Sequence, residues 1–135
     1  MNKLTGGDTG GAFLLTEIDI PPGGGPPLHR HTREDELFIV LEGELAFRVG
    51  EQTLHAKAGA VVFGPRGLPH TFKNCTGQRV RAMVFVTSPV SEGFFRSFGE
   101  PLPGTTAPPP DDVIIERIMK LAPEYGIEIL GPCPL

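Results

Sequence analysis

Short apolar runs, interrupted at roughly ten-residue intervals by glycine, proline or charged residues, constrain this chain more than any other feature. From Phe13 to Ile20, Leu14, Thr16, Ile18 and Ile20 share one face of an extended segment and Glu17 and Asp19 the other, until Pro21-Pro22 ends the alternation. Leu37 to Leu41 and Leu45 to Val49 flank Glu42-Gly43-Glu44, Thr53 to Ala56 follows Gly50-Glu51, and Val61-Val62-Phe63 runs into the Pro65-Arg66-Gly67 turn. His70-Thr71-Phe72 and Val80 to Thr87 complete the series. Runs this short read as strands joined by tight turns, and so as a barrel or sandwich. The chain holds 18 Gly and 15 Pro in 135 residues, and because they bound apolar runs rather than dilute a polar sequence they argue for an all-β domain over disorder. At this length one domain with its own core accounts for the whole chain, residues 1–135.

The pattern changes after Pro89. Ser91 to Phe98 is predicted as a short helix whose Phe94, Phe95 and Phe98 form a broad aromatic face that packing, or service as a lid, would cover. A proline-rich connector runs from Pro101 to Pro110, and Asp111 or Asp112 can cap a helix of about ten residues. Val113, Ile114, Ile115, Ile118, Met119 and Leu121 give that helix an apolar stripe, and Pro123 and Gly126 end it. The expected organisation is a barrel over about 12–89 and a helical, proline-rich extension over about 90–135.

The formal net charge of −4, with Lys and Arg scattered, gives no basic patch for nucleic acid or an anionic membrane. No apolar stretch approaches the roughly 20 residues needed to span a bilayer, and Met1 to Gly11 lacks the features of a secretory signal. The expectation is a cytoplasmic protein that binds a small molecule. Cys75 and Cys133 lie far apart without CxxC spacing and read as reduced structural thiols, and the Asn74-Cys75-Thr76 acceptor pattern for glycosylation carries no consequence in that setting.

His29 and His31 are two residues apart, so in a strand both imidazoles project from one face, as two ligands to one ion require. Carboxylates follow at Glu34, Asp35 and Glu36, and on chemistry alone all three are rivals for a ligand role. If Glu36 points inward, Phe38 and Val40 do so too, and Leu37 and Ile39 pack outward. His70 shares a strand face with Phe72 and Asn74, downstream of the sharp Pro65–Gly67 turn. His55, between Leu54 and Ala56, reads as a surface histidine. Phe38, Val40, Phe47, Phe63, Phe72, Met83 and Phe85 are candidates to line a pocket, with plain core packing the simpler role for each.

Taken with their glycines, these residues form two spaced motifs. The first is Gly23, five residues, His29-Arg30-His31, four residues, Glu36, six residues, Gly43; the second is Gly59, five residues, Pro65-Arg66-Gly67, two residues, His70, three residues, Asn74. Over 23–74 the chain therefore resembles the cupin superfamily, in its small single-domain conserved-barrel form. The resemblance implies an all-β jelly-roll barrel with short C-terminal helices, usually within a homodimer. It further implies one divalent transition metal (Fe, Mn, Ni, Co, Cu or Zn) on His29, His31, Glu36 and His70, which selects Glu36 over Glu34 and Asp35. On that assignment His70→Ala should reduce metal occupancy severely and Glu34→Ala should barely change it.

Four protein ligands leave positions open on an octahedral ion, so such a site permits chemistry. Phe94-Phe95-Arg96 and Tyr125-Gly126-Ile127-Glu128 are similar to the tail of quercetinase-like bacterial cupins, which implies a metal-dependent dioxygenase acting on a small aromatic or enol-type substrate, with Glu36 both ligand and catalytic proton acceptor. The alternatives are a metal-dependent isomerase or lyase, which would want polar groups such as Arg48 or Arg81 turned inward, and a non-enzymatic small-molecule or metal-binding barrel.

Overall fold

The computed structural model describes residues 2–89, 92–93, 103–106, 109 and 111–135. Ten strands occur among them: β1 (Asn2–Leu4), β2 (Leu14–Ile20), β3 (Leu28–His31), β4 (Glu36–Glu42), β5 (Glu44–Val49), β6 (Gln52–Lys57), β7 (Val61–Gly64), β8 (His70–Lys73), β9 (Val80–Val86) and β10 (Ile127–Gly131). Helix α1 (Asp111–Leu121) leads through a 3-10 turn (Ala122–Tyr125) into β10. The expected aromatic helix of Ser91 to Phe98, with Phe94, Phe95 and Phe98, lies outside the described residues except for Glu92 and Gly93. Among the described residues no helix is long and apolar enough to cross a membrane.

The strands form two five-stranded sheets, ordered β1-β2-β9-β4-β7 and β10-β3-β8-β5-β6, with every neighbouring pair antiparallel. Period-two alternation decides what each sheet turns inward. In the first sheet Leu14, Ile20, Phe38, Val40, Val62, Val80, Val84 and Val86 are buried, and they meet Leu45, Phe47 and Ala56 from the second in one core. Phe38 bridges the two layers, its ring centroid 5.3 Å from that of Phe47 and 5.6 Å from that of Phe72. Glu17, half-buried, pairs with Arg81 at 2.8 Å, and Asp19, exposed at the rim of the barrel, pairs with Arg79 at 3.0 Å.

Three of the pocket candidates face the other way. Phe63 and Phe85 both stand opposite Leu37, and Met83 opposite Ile39, so the register that turns Glu36 and Phe38 inward turns these three outward. Phe63 is 54% exposed, and Val61 beside it 58%. Val62, Val84 and Val86 occupy the inner positions instead.

The tail departs most from expectation. Reading 90–135 as an extension outside the barrel misses β10, which adds to the edge of the second sheet and pairs Ile127 with His31, Glu128 with Arg30 and Ile129 with His29. Arg30 and Glu128 reinforce that pairing with a 2.6 Å ion pair. Strand β1, which has no counterpart in the sequence pattern, extends the first sheet beside β2.

Candidate metal centre

Two sheets contribute to one cluster. β3 supplies His29 and His31, β8 supplies His70 directly opposite His29 in the strand register, and β4 brings Glu36 from the facing sheet. One nitrogen or oxygen from each of the four residues lies within 4.8 Å of the others. Glu36 Oε2 is 2.6 Å from His70 Nε2 and 3.2 Å from His31 Nε2. Ligands about 2.0–2.2 Å from a common ion stand at most roughly 4.4 Å apart across it, so the cluster needs only small adjustments to share one.

The far side of each ring is held. His29 Nδ1 donates to the Pro27 carbonyl at 2.8 Å, His31 Nδ1 to Glu34 Oε1 at 3.0 Å, and the Leu68 carbonyl lies 3.3 Å from His70 Nδ1. With Nδ1 carrying the proton, a neutral imidazole keeps its Nε2 lone pair facing the cluster, which is the form a metal needs. His31 Nε2, buried and without a hydrogen-bond partner in the structure, is the atom whose burial most clearly calls for such a bond.

Local backbone sets these directions. Gly67 adopts φ 80°, a conformation that disfavours side chains, and donates its N–H to the His31 carbonyl at 2.8 Å, tying the Pro65–Gly67 turn to the two-histidine strand. Gly64 sits opposite Glu36, and a Cβ there would stand 3.4 Å from His70 Nδ1. Asn74 donates to the Ile20 carbonyl at 3.0 Å and the Gln78 carbonyl at 2.6 Å, closing the loop after β8.

Charge in the cluster is strongly coupled. Burial, followed by the neighbouring His70, pushes the His29 pKa down to about 4. Burial also pulls the His31 pKa down, but the carboxylates of Glu34, which accepts its Nδ1–H, and of Glu36, 3.2 Å from its Nε2, outweigh it and hold the pKa up to about 9. For Glu36 burial is opposed by His31 and His70, which together keep its carboxyl well below the usual range.

The rival acids have other work. Glu34 is 1% exposed and lies behind His31 rather than in the ring of donors, and its 3.0 Å contact with His31 Nδ1 is one that the expectation of a bystander role leaves out. Asp35 accepts the Arg66 backbone N–H at 2.6 Å and braces the Pro65–Gly67 turn. A carboxylate three residues after an inward-facing histidine was the available signal for Glu34, and only the bend after β3 gave it meaning. His55 lies outside the cluster, 3.6 Å from Glu44 at the surface.

Comparison with known proteins places this arrangement. The family model described as "Cupin domain" matches residues 16–86, taking in the entire cluster. The chain belongs to the cupin family. This cupin is 36% identical over 107 residues to Nectarin-1 of Nicotiana langsdorffii x Nicotiana sanderae, covering 76% of the chain and 46% of that protein. It spans about half the length of the curated relatives it matches. Among solved structures it is similar to a predicted oxalate decarboxylase from Thermotoga maritima, with TM-score 0.59 and 27% identity over 63% of this chain and 75% of that one. It is also similar to the polyketide cyclase RemF from Streptomyces resistomycificus, with TM-score 0.57 and 31% identity over 63% of this cupin and 61% of RemF.

Beside the cluster lies a cavity of about 760 Å³. His29, His31 and Glu36 form one part of its wall, Phe38, Phe72, Val84, Ile18 and Ile20 the barrel interior, and Ile127, Ile129, Ile114 and Ile118 the side built by β10 and α1. Arg48 and Arg81 do not line it; Arg48 donates to the Gly50 carbonyl and Arg81 to Glu17 and Glu42 on the outer surface.

Proposed function

We propose that this cupin is a metal-dependent dioxygenase acting on a small aromatic or enol-type substrate, with His29, His31, Glu36 and His70 holding one divalent transition metal. The observation that carries the reading is the meeting of a cluster of three imidazoles and a carboxylate with a cavity onto which His29, His31 and Glu36 open and whose remaining wall is mostly apolar. Three nitrogens and one oxygen suit Fe, Mn, Ni, Co, Cu or Zn and leave room for an exogenous ligand. When bound, such an ion supplies a Lewis-acidic position at which an enol oxygen and dioxygen can be brought together.

The chain's own groups do the rest. Pro27, Glu34 and Leu68 orient the three rings through Nδ1. Phe38 and Phe72 present ring surface to a flat substrate and exclude water from it. Glu36, the carboxylate beside the imidazoles with its Oε2 2.6 Å from His70 Nε2, would accept the proton that an enol gives up on binding. Isomerase or lyase chemistry on a sugar or small acid is less well supported, since Arg48 and Arg81 turn outward.

We further infer that the protein acts as a cytoplasmic homodimer. Two free cysteines, Cys75 exposed and Cys133 partly so, favour a reducing compartment. The outward apolar face built by Val61 and Phe63 beside Leu37 and Ile39, on the edge strand β7, suits a second copy. Elemental mass spectrometry of freshly purified protein, with His29→Ala and His70→Ala alongside, tests the metal; oxygen uptake with flavonols and other enols tests the reaction. Near-stoichiometric metal lost in both variants, with uptake in the wild type, is the expected result. Metal without uptake on any enol would favour a binding protein, and failure to take up added ions would refute the metal centre.

A further inference from the structure

We propose that the ligand of this site is neutral and elongated, with its oxygen donors at the imidazoles and an apolar body gripped by Ile114 and Ile118, so that α1 rather than the barrel sets which ligands are retained; this rests on the metal-centred enol reading above. The cavity is continuous from His29, His31 and Glu36 to α1. Its volume of about 760 Å³ lies within the roughly 300–1,000 Å³ of sites that enclose drug-sized molecules, far more than a two-carbon dicarboxylate fills.

The polarity of the wall points the same way. Among its described residues there is no Lys or Arg, and the charged ones besides the cluster reduce to Asp19, whose carboxylate is engaged by Arg79 at 3.0 Å. Beyond the ion itself, a dianion would meet the carboxylates of Glu36 and Asp19 and no Lys or Arg to take its second charge, whereas a neutral molecule with a hydroxy-ketone head meets donors at one end and hydrocarbon beyond.

Helix α1 is built to be the selective wall. Ile114 and Ile118 are one helical turn apart and share a face. That face is set by the small buried cluster of Ala122 and Ile127, against which Ile118 and Leu121 pack. Both isoleucines are only half-buried in the structure, leaving hydrocarbon available to a ligand that reaches them.

Two probes with the same metal-binding head separate the possibilities: 3-hydroxyflavone, which carries an aryl extension, and a 3-hydroxy-4-pyranone, which does not. Binding to the metal-loaded full chain is read from the absorption shift of the coordinated enol, with oxalate as competitor. The wild type should prefer the flavone at least tenfold. Ile114→Ser and Ile118→Ser should each weaken the flavone about tenfold, as expected from losing the contact of two or three half-buried methylene equivalents, and leave the pyranone unchanged. Ile118→Val should recover most of the loss, and unchanged metal content across the variants shows that the fold is retained. Equal affinity for the two probes, an unaltered ratio in the serine variants, or displacement by oxalate below the concentration of either probe would overturn the assignment of α1 while leaving the metal centre intact. Binding of neither probe to metal-loaded protein would instead sink the enol reading on which it rests.

Discussion

Glu34→Ala should weaken metal binding substantially although Glu34 is no ligand. Its Oε1 accepts the His31 Nδ1 proton at 3.0 Å, and both side chains are at most 2% exposed, so water cannot easily replace the carboxylate. A buried donor left without a partner costs roughly 1–3 kcal/mol. That cost falls on the metal-bound state, because His31 must keep its proton on Nδ1 to offer Nε2 to the ion. The variant should then lose about 10- to 100-fold in affinity, the range seen when carboxylates behind metal-bound histidines are removed. Glu34→Gln retains an acceptor and should lose less. Competition with a chromophoric chelator measures both constants, and Glu44→Gln, a surface change beside His55, serves as control. Wild-type affinity in Glu34→Ala, with binding abolished in His70→Ala, would show that the contact does not position His31.

Other outcomes follow from the same geometry. Glu36→Gln should retain the shape of the site but bind a divalent ion at least tenfold more weakly, because the charge that offsets the ion is gone; chelator competition reads it. Metal-free protein should be most stable near pH 6.5. As pH falls, the unfolded chain protonates His29 near its ordinary 6.5 while the folded chain does so only at about 4, so stability drains between those values. As pH rises, the unfolded chain has lost the His31 proton that the folded chain keeps to about 9, so stability drains from 6.5 to 9. Each arm is worth at most about 3 kcal/mol, and a flat melting temperature across this range in chelator-treated protein would contradict it. Phe63→Glu should shift the protein to a monomer in sedimentation without lowering metal content, and a dimer of undiminished strength would place the interface elsewhere.

Much of the cluster was readable because its signals are local. The two-residue spacing of His29 and His31 fixes a shared face wherever a strand forms, and the phase of Glu36, Phe38 and Val40 follows from one inward residue. Facing relations across strands were harder. Phe63, Met83 and Phe85 look as suitable for a pocket as Phe38 or Phe72, and only the register against Leu37 and Ile39 turns them out. β10 is the clearest miss. Ile127–Gly131 is short, follows a helix, and takes its partner from the other end of the chain, so no periodicity within it announces that His29 and His31 will lie beside it. Glu34 was visible as a carboxylate near the site, but its job depends on the turn after β3.

Because β3 gains its outer neighbour only from β10, the two-histidine strand stays open along one edge while most of the chain is being made. β10 carries none of the four donors, so its part is to fix the strand that carries two of them: the edge of the sheet at His29 and His31 is completed only when Ile127–Gly131 docks. A change that undocks β10 would therefore loosen the two-histidine edge of the cluster without removing a single donor atom.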